Sequence, residues 1–164
     1  MTQVAAPELA ELELFRGVTA ERLETVAPCA WRERHEAGRL LLRQGDEAAS
    51  LHLLCSGSVS LELVVPGRAP LVLETLGPGE LVGASWLLPP ARVHFDVRAR
   101  EAVESLRFDT GCLQRAMEAD PGLGYLFCRR FMAVVVRRLQ AARVQLMDLY
   151  GHPELFDPQR GRGR

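Results

Sequence analysis

The sequence predicts a mainly β protein: an antiparallel β-roll of the double-stranded β-helix or jelly-roll type, with short helices before it and one long helix after it. Three observations carry this. Between Trp31 and Phe108, short segments alternate apolar and polar residues. Turn formers separate them, at Gly45-Asp46, Ser56-Gly57, Pro66-Gly67 and Gly77-Pro78-Gly79. From Thr110 the period lengthens to that of a helix and holds to about Tyr150.

The elements follow in order. Pro7 to Phe15 reads as a short helix, because Pro suits a first turn and Leu9, Leu12 and Phe15 share a face. Gly17 interrupts it. Thr19 is placed to cap a second helix, Ala20 to Val26, whose Glu21 and Glu24 favour the positive end. Trp31, Glu33 and His35 alternate with Arg32, Arg34 and Glu36 in a strand that is half-exposed at best. Leu40 to Leu42 is a short apolar strand. Leu51, Leu53 and Cys55 alternate with His52 and Leu54. Val59, Leu61, Leu63 and Val65 alternate with Ser58, Ser60 and Glu62, the clearest strand of the chain. Leu71 to Leu76 follows, then an irregular stretch. Phe95, Val97 and Ala99 are expected to face inward, and Asp96, Arg98 and Arg100 outward. Val103 to Phe108 closes the roll. Thr110 is expected to cap a helix ending near Asp120. Pro121 opens the long helix, and Gly151 with Pro153 stops it. The tail, 151–164, is rich in Gly, Pro and Arg and reads as disordered.

A chain of 164 residues with 48% hydrophobic residues suits one domain, here 1–150, with a core of ordinary size. A charged fraction of 25% argues against disorder, and a net charge of −1 against polyanion binding by the chain as a whole. Met1 to Leu12 lacks the basic-then-apolar pattern of a leader. The apolar run Phe131 to Val136 is too short to cross a bilayer. A cytoplasmic protein with no membrane association is expected. Cys29, Cys55, Cys112 and Cys128 are scattered in apolar contexts, so four buried or half-buried thiols are expected, with no metal cluster. His35, His52, His94 and His152 are dispersed as well, with no metal-ligand spacing.

The order of elements and the stretch Glu36-Ala37-Gly38, Leu40-Leu41, Gln44-Gly45-Asp46, Leu51-His52-Leu53-Leu54, Ser56-Gly57-Ser58-Val59 resemble the cyclic nucleotide-binding domain of catabolite-activator-type regulators and of cyclic nucleotide-gated kinases and channels. The resemblance runs from about Leu14 to Tyr150. It implies a phosphate cassette, in which a Gly-Glu pair supplies the ribose-binding carboxylate and a later Arg-Ser or Arg-Thr pair meets the phosphate. Here Pro78-Gly79-Glu80-Leu81-Val82-Gly83 enters that segment and Val97-Arg98-Ala99 leaves it. Laid without a gap, Gly83 keeps the glycine, Ala84 replaces the Glu, and Val93-His94 replace the Arg and its partner. Removing one partner of a buried charge pair costs about 3–5 kcal/mol, roughly two to four decades of affinity. Arg92 stands one residue early and restores the pair only if the loop Pro89-Pro90-Ala91 shifts register. The implied ligand-binding residues are Gly83, Ala84, Ser85, Trp86, Arg92, Val93 and His94. Either this more apolar site takes a different small molecule, or Trp86, Leu87 and Phe95 fill it as core. The cassette also looks like that of stand-alone domains within the superfamily.

On the long helix, Cys128, Val135, Ala142 and Leu149 recur every seventh residue, interleaved with Met132, Leu139 and Leu146. Leu123, Phe127, Phe131 and Val134 form a second apolar stripe, which can pack on the chain's own β-roll and leave the seam free. Two stripes suggest two partners, and a homodimer through the seven-residue seam is expected. The tail is too short for a helix-turn-helix, so no specific DNA binding is expected, although Arg160, Arg162 and Arg164 can touch phosphates weakly. The expected function is a stand-alone sensory or regulatory module with weak or no cyclic nucleotide binding, acting through a small ligand or a protein partner. The alternative is a genuine cyclic nucleotide-binding signalling protein that uses Arg92. A cupin-like enzyme would need clustered histidines and a carboxylate. Only His35 and His52 lie in roll strands, with His94 in the cassette, so no enzyme and no cofactor are expected, a cyclic nucleotide apart.

Overall fold

The computed structural model describes residues 1–87 and 89–149, the last two without their side chains. Two short helices, α1 (Ala6–Ala10) and α2 (Ala20–Val26), lie between the first two strands. The strands are β1 (Thr2–Gln3), β2 (Ala30–His35), β3 (Leu40–Leu42), β4 (Ser50–Ser56), β5 (Val59–Leu63), β6 (Leu71–Leu76), β7 (Leu81–Val82), β8 (Asp96–Ala99) and β9 (Val103–Asp109). They form two antiparallel sheets, ordered β1-β2-β9-β4-β7 and β3-β8-β5-β6. Helices α3 (Thr110–Ala119) and α4 (Pro121–Leu149) follow. This is the β-roll with flanking helices that the alternating segments predict. The chain divides into two compact units, Met1–Leu126 and Phe127–Arg164.

The core of the first unit is mostly apolar and draws on strands and helices alike. Phe15 and Phe108 lie with ring centroids 5.7 Å apart, and Leu9, Val26, Leu51, Leu54, Leu76, Leu106 and Leu113 are fully buried around the roll. Gly57 is indispensable in its turn. It has φ +74°, and a Cβ there would lie 2.3 Å from the Ala102 carbonyl oxygen. At the other end of this unit, Arg22 of α2 grips Asp120 with Nε donating at 2.6 Å and Nη2 at 3.1 Å. Asp120 also accepts from the Leu123 N–H at 3.1 Å, so it caps the first turn of α4. The Arg22 guanidinium and that N–H hold its carboxyl below the usual carboxylate range.

Several expectations are corrected. The segment Pro7 to Phe15 is not one helix: α1 stops at Ala10, and Glu13–Phe15 is a separate 3-10 turn. Asp109, not Thr110, caps α3, accepting from the Cys112 N–H at 2.7 Å, while the Thr110 hydroxyl donates to the Ala48 carbonyl at 2.9 Å. The four thiols are not all free. Cys29 and Cys112 form a disulfide with Cα atoms 5.5 Å apart, and Cys55 and Cys128 remain thiols. Asp96 does not face out; it is buried, as are Ser60 and Glu62. The stretch read as irregular contains β7 and a 3-10 turn over Ala84–Leu87.

In the second unit, Phe127 and Phe131 of α4 are buried, and their rings stack with centroids 5.9 Å apart. Cys128, Met132, Val135, Leu139, Ala142 and Leu146 are exposed along the same helix. The Leu149 side chain and the predicted tail lie outside the described residues. Among the described residues, no helix is long and apolar enough to cross a membrane.

Candidate functional site

The loop between β7 and β8 carries the residues that the resemblance singles out. Gly83 leaves β7 with φ +92°, and a Cβ there would meet the Ser50 carbonyl oxygen at 2.6 Å and Leu42 Cδ1 at 3.1 Å. Only glycine lets the backbone turn that close to β4. Ala84, Ser85, Trp86 and Leu87 then form the 3-10 turn, with Trp86 buried and the other three half-buried. The returning arm is laced to the turn at Gly45 and Asp46 by backbone hydrogen bonds. The Gly45 N–H donates to the Val93 carbonyl at 2.8 Å, the Val93 N–H to the Asp46 carbonyl at 2.9 Å, and the Ala48 N–H to the Ala91 carbonyl at 2.9 Å.

This lacing holds the returning arm against the turn. Val93 is buried, 5% exposed, in the position where the resemblance expects the phosphate-pairing arginine. Arg92 is exposed, and its Nη1 donates to the Gly45 carbonyl at 3.1 Å. His94 is exposed, edge-on to the half-buried Phe95 at 6.5 Å. Gly83 through Trp86 and Arg92 through His94 therefore sit on the two arms of one loop. Of the side chains read as pocket filling, Trp86 is buried and Leu87 and Phe95 are half-buried.

Beside this loop lies a polar group that the alternation pattern hid. In the register of β5 and β8, Glu62 stands opposite Asp96 and Ser60 opposite Arg98. Ser60 Oγ donates to Glu62 at 2.6 Å and Arg98 Nε at 2.9 Å. Arg98 Nη2 reaches to 3.9 Å from Asp96, which also accepts from the Gln44 N–H at 2.7 Å. Burial pushes the Glu62 carboxyl up, but the Ser60 and Arg98 hydrogen bonds and the arginine charges outweigh it and hold the group below the usual range. Two buried carboxylates and one guanidinium form a satisfied structural network.

A second polar cluster lies on the five-stranded sheet. His52, 1% exposed, is held between Ser50 Oγ at Nε2 and Ser105 Oγ at Nδ1, each at 3.2 Å. Burial, then the neighbouring His35 and Arg107, push its pKa down to about 3, so the ring is neutral at pH 7. His35 lies with its ring centroid 6.0 Å from that of His52. The donor atoms of Glu33, His35 and His52 fall within 4.8 Å of one another. Sequence spacing does not show this grouping, because the residues come from strands brought together only by the sheet.

Comparison with known proteins agrees with the β-roll fold. Residues 32–120, more than half the chain, match the Cyclic nucleotide-binding domain family. The cyclic AMP receptor protein of Thermus thermophilus is 31% identical over 144 residues, 86% of this chain and 63% of that protein. The acetyltransferase Pat of Mycolicibacterium smegmatis is 37% identical over 103 residues, 63% of this chain and 31% of that protein. The chain thus spans less than two thirds of the length of these relatives. A cyclic nucleotide-binding domain from Methylobacillus flagellatus shares the fold with a TM-score of 0.71 at 16% identity, over 94% of this chain and 84% of that one. The chain belongs to the cyclic nucleotide-binding domain family.

Proposed function

We propose that this chain is a sensory or regulatory module that holds cyclic nucleotides weakly or not at all and acts through a different small ligand or a protein partner. The observation that carries the reading is the placement of Val93 and Arg92. A buried valine fills the position expected for the phosphate arginine, and the neighbouring arginine points to solvent on the Gly45 carbonyl. Ala84 brings no carboxylate for a ribose. The alternative, a cyclic nucleotide receptor that uses Arg92, requires the loop to give up the three backbone hydrogen bonds that tie it to the turn at Gly45–Ala48. A regulatory rather than enzymatic role and a cytoplasmic location belong to the same reading.

Calorimetric titration with cyclic AMP and cyclic GMP tests it. Binding is expected to be millimolar or undetectable, and the double variant Ala84→Glu, Val93→Arg should bind at least tenfold more tightly. A micromolar dissociation constant for the unaltered chain would overturn the reading. The proposal extends to assembly: Met132, Val135, Leu139 and Leu146 expose an apolar seam on α4, and a second copy of the helix is its proposed partner. Specific DNA binding is not part of the proposal, and a gel shift at moderate salt should show no sequence preference.

A further inference from the structure

Glu33 and His35 alternate on β2, and His52 sits on β4, with β9 between these two strands. The register puts Ser105 of β9 opposite Glu33 on one side and Leu54 on the other, and Arg107 opposite His52. All of them therefore project from one face of the sheet. Phe108, which meets Phe15, projects from the opposite face. Adjacent strands lie about 4.8 Å apart, so β2 and β4 are separated by roughly 9–10 Å. Long side chains from the two outer strands can converge above a small residue on the middle one, and Ser105 is that residue.

The donor set has unused capacity. His35 Nε2 is buried without a hydrogen-bond partner. It lies 3.4 Å from Glu33 Oε2, and both side chains are largely covered, 18% and 15% exposed. Zinc–nitrogen and zinc–oxygen bonds of about 2.0–2.2 Å at a tetrahedral angle put neighbouring donors roughly 3.3–3.5 Å apart. The His35–Glu33 separation already has that length. His52 has serine hydroxyls at both ring nitrogens, so one serine can yield to an ion while the other orients the ring, the usual outer partner of a ligating histidine. The Arg107 charge opposes a cation here, and the Glu33 carboxylate compensates it.

We propose that Glu33, His35 and His52 form a binding site for one borderline divalent transition-metal ion of the zinc class, with water at the fourth position. Two imidazoles and one carboxylate suit such an ion better than the oxygen-seeking magnesium or calcium. The site lies apart from the β7–β8 loop in sequence, and this proposal does not depend on what that loop binds.

The test uses the full chain, stripped with a chelator. Zn²⁺ titration by calorimetry should give one equivalent, with micromolar affinity or better. His35→Gln and Glu33→Gln, both at partly exposed positions, should keep the circular-dichroism spectrum and lose at least tenfold in affinity. A Cys55→Ser, Cys128→Ser, His94→Ala variant should bind as the parent does. His52→Asn removes a buried ring and can unfold the chain, so the histidine ring resonances of the parent provide the second measurement. Zn²⁺ should shift those of His35 and His52. Absence of saturable Zn²⁺ binding, unchanged affinity in His35→Gln, or shifts confined to other histidines would overturn the proposal.

Discussion

Glu62 shows how one side chain decides against its own burial. With only the apolar strands around it, the carboxyl would favour its neutral form. The Ser60 hydroxyl and the Arg98 guanidinium reverse that preference. Glu62→Gln should cost roughly 1.5–3 kcal/mol in urea unfolding at pH 7, the range for hydrogen bonds to charged groups. The pH dependence has a definite sign. The folded-state pKa of Glu62 lies below the ordinary value of 4.5, so its contribution is present above that value and fades as pH falls below it through the folded pKa. The parent should therefore lose stability more steeply than the glutamine variant below pH 4.5. Equal acid slopes would show that Glu62 is not the coupled group. Glu62 and Asp96 were illegible because a two-residue period marks a strand without saying which face is covered. Where both faces of a strand are buried, as along β5 and β8, polar residues go inside if their partners go with them. Ala84 follows Gly83 directly, so its place at the start of the turn is a local matter, whereas Val93 is held by backbone hydrogen bonds to Gly45 and Asp46 that the sequence does not display.

Elements show the same division between local and non-local signals. Helix α2 starts and stops at the residues its pattern marks, and α4 opens at Pro121. The disulfide carries no such signal, because its cysteines are 83 residues apart. Its origin is in the sheet: β2 and β9 pair with Ala30 opposite Phe108. That register brings Cys29, just before β2, beside the first turn of α3, where Cys112 stands. Closing so long a loop restricts the unfolded chain, and Cys29→Ser should lower the unfolding free energy by about 2–4 kcal/mol. Thiol titration of the denatured, unreduced chain should find Cys55 and Cys128 alone reactive. Four reactive thiols would remove the bond from the account. At the start of the cassette, Gly83→Ala should cost at least as much as a strained backbone position, about 1–3 kcal/mol, since the new Cβ meets the Ser50 carbonyl oxygen rather than a movable side chain. Chemical denaturation measures it, and a neutral effect would mean that the β7–β4 contact yields freely.

For the whole molecule, the question is what covers the seam of α4. The buried stripe begins in the first unit with Leu123 and continues in the second with Phe127 and Phe131, while Met132, Val135, Leu139 and Leu146 stay exposed. The sequence showed both stripes, because heptad spacing is a local property of a helix. The stripe of Leu123, Phe127, Phe131 and Val134 is the one expected to be covered within its own chain, and Leu123, Phe127 and Phe131 are buried. Leu139 is 49% exposed. In a two-stranded coil it would insert between side chains of the facing helix and exclude water. A glutamate there would strand a charge in an apolar interface or drive the helices apart, at a cost of several kcal/mol, comparable with the whole stability of a modest dimer. The proposed contact is confined to α4. Leu139→Glu should accordingly give a folded monomer that keeps its β circular-dichroism signal, while the parent sediments as a dimer at tens of micromolar. A monomeric parent would show that the seam has no second copy as its partner. An unfolded variant would place Leu139 in the core of its own chain and collapse the two stripes into one.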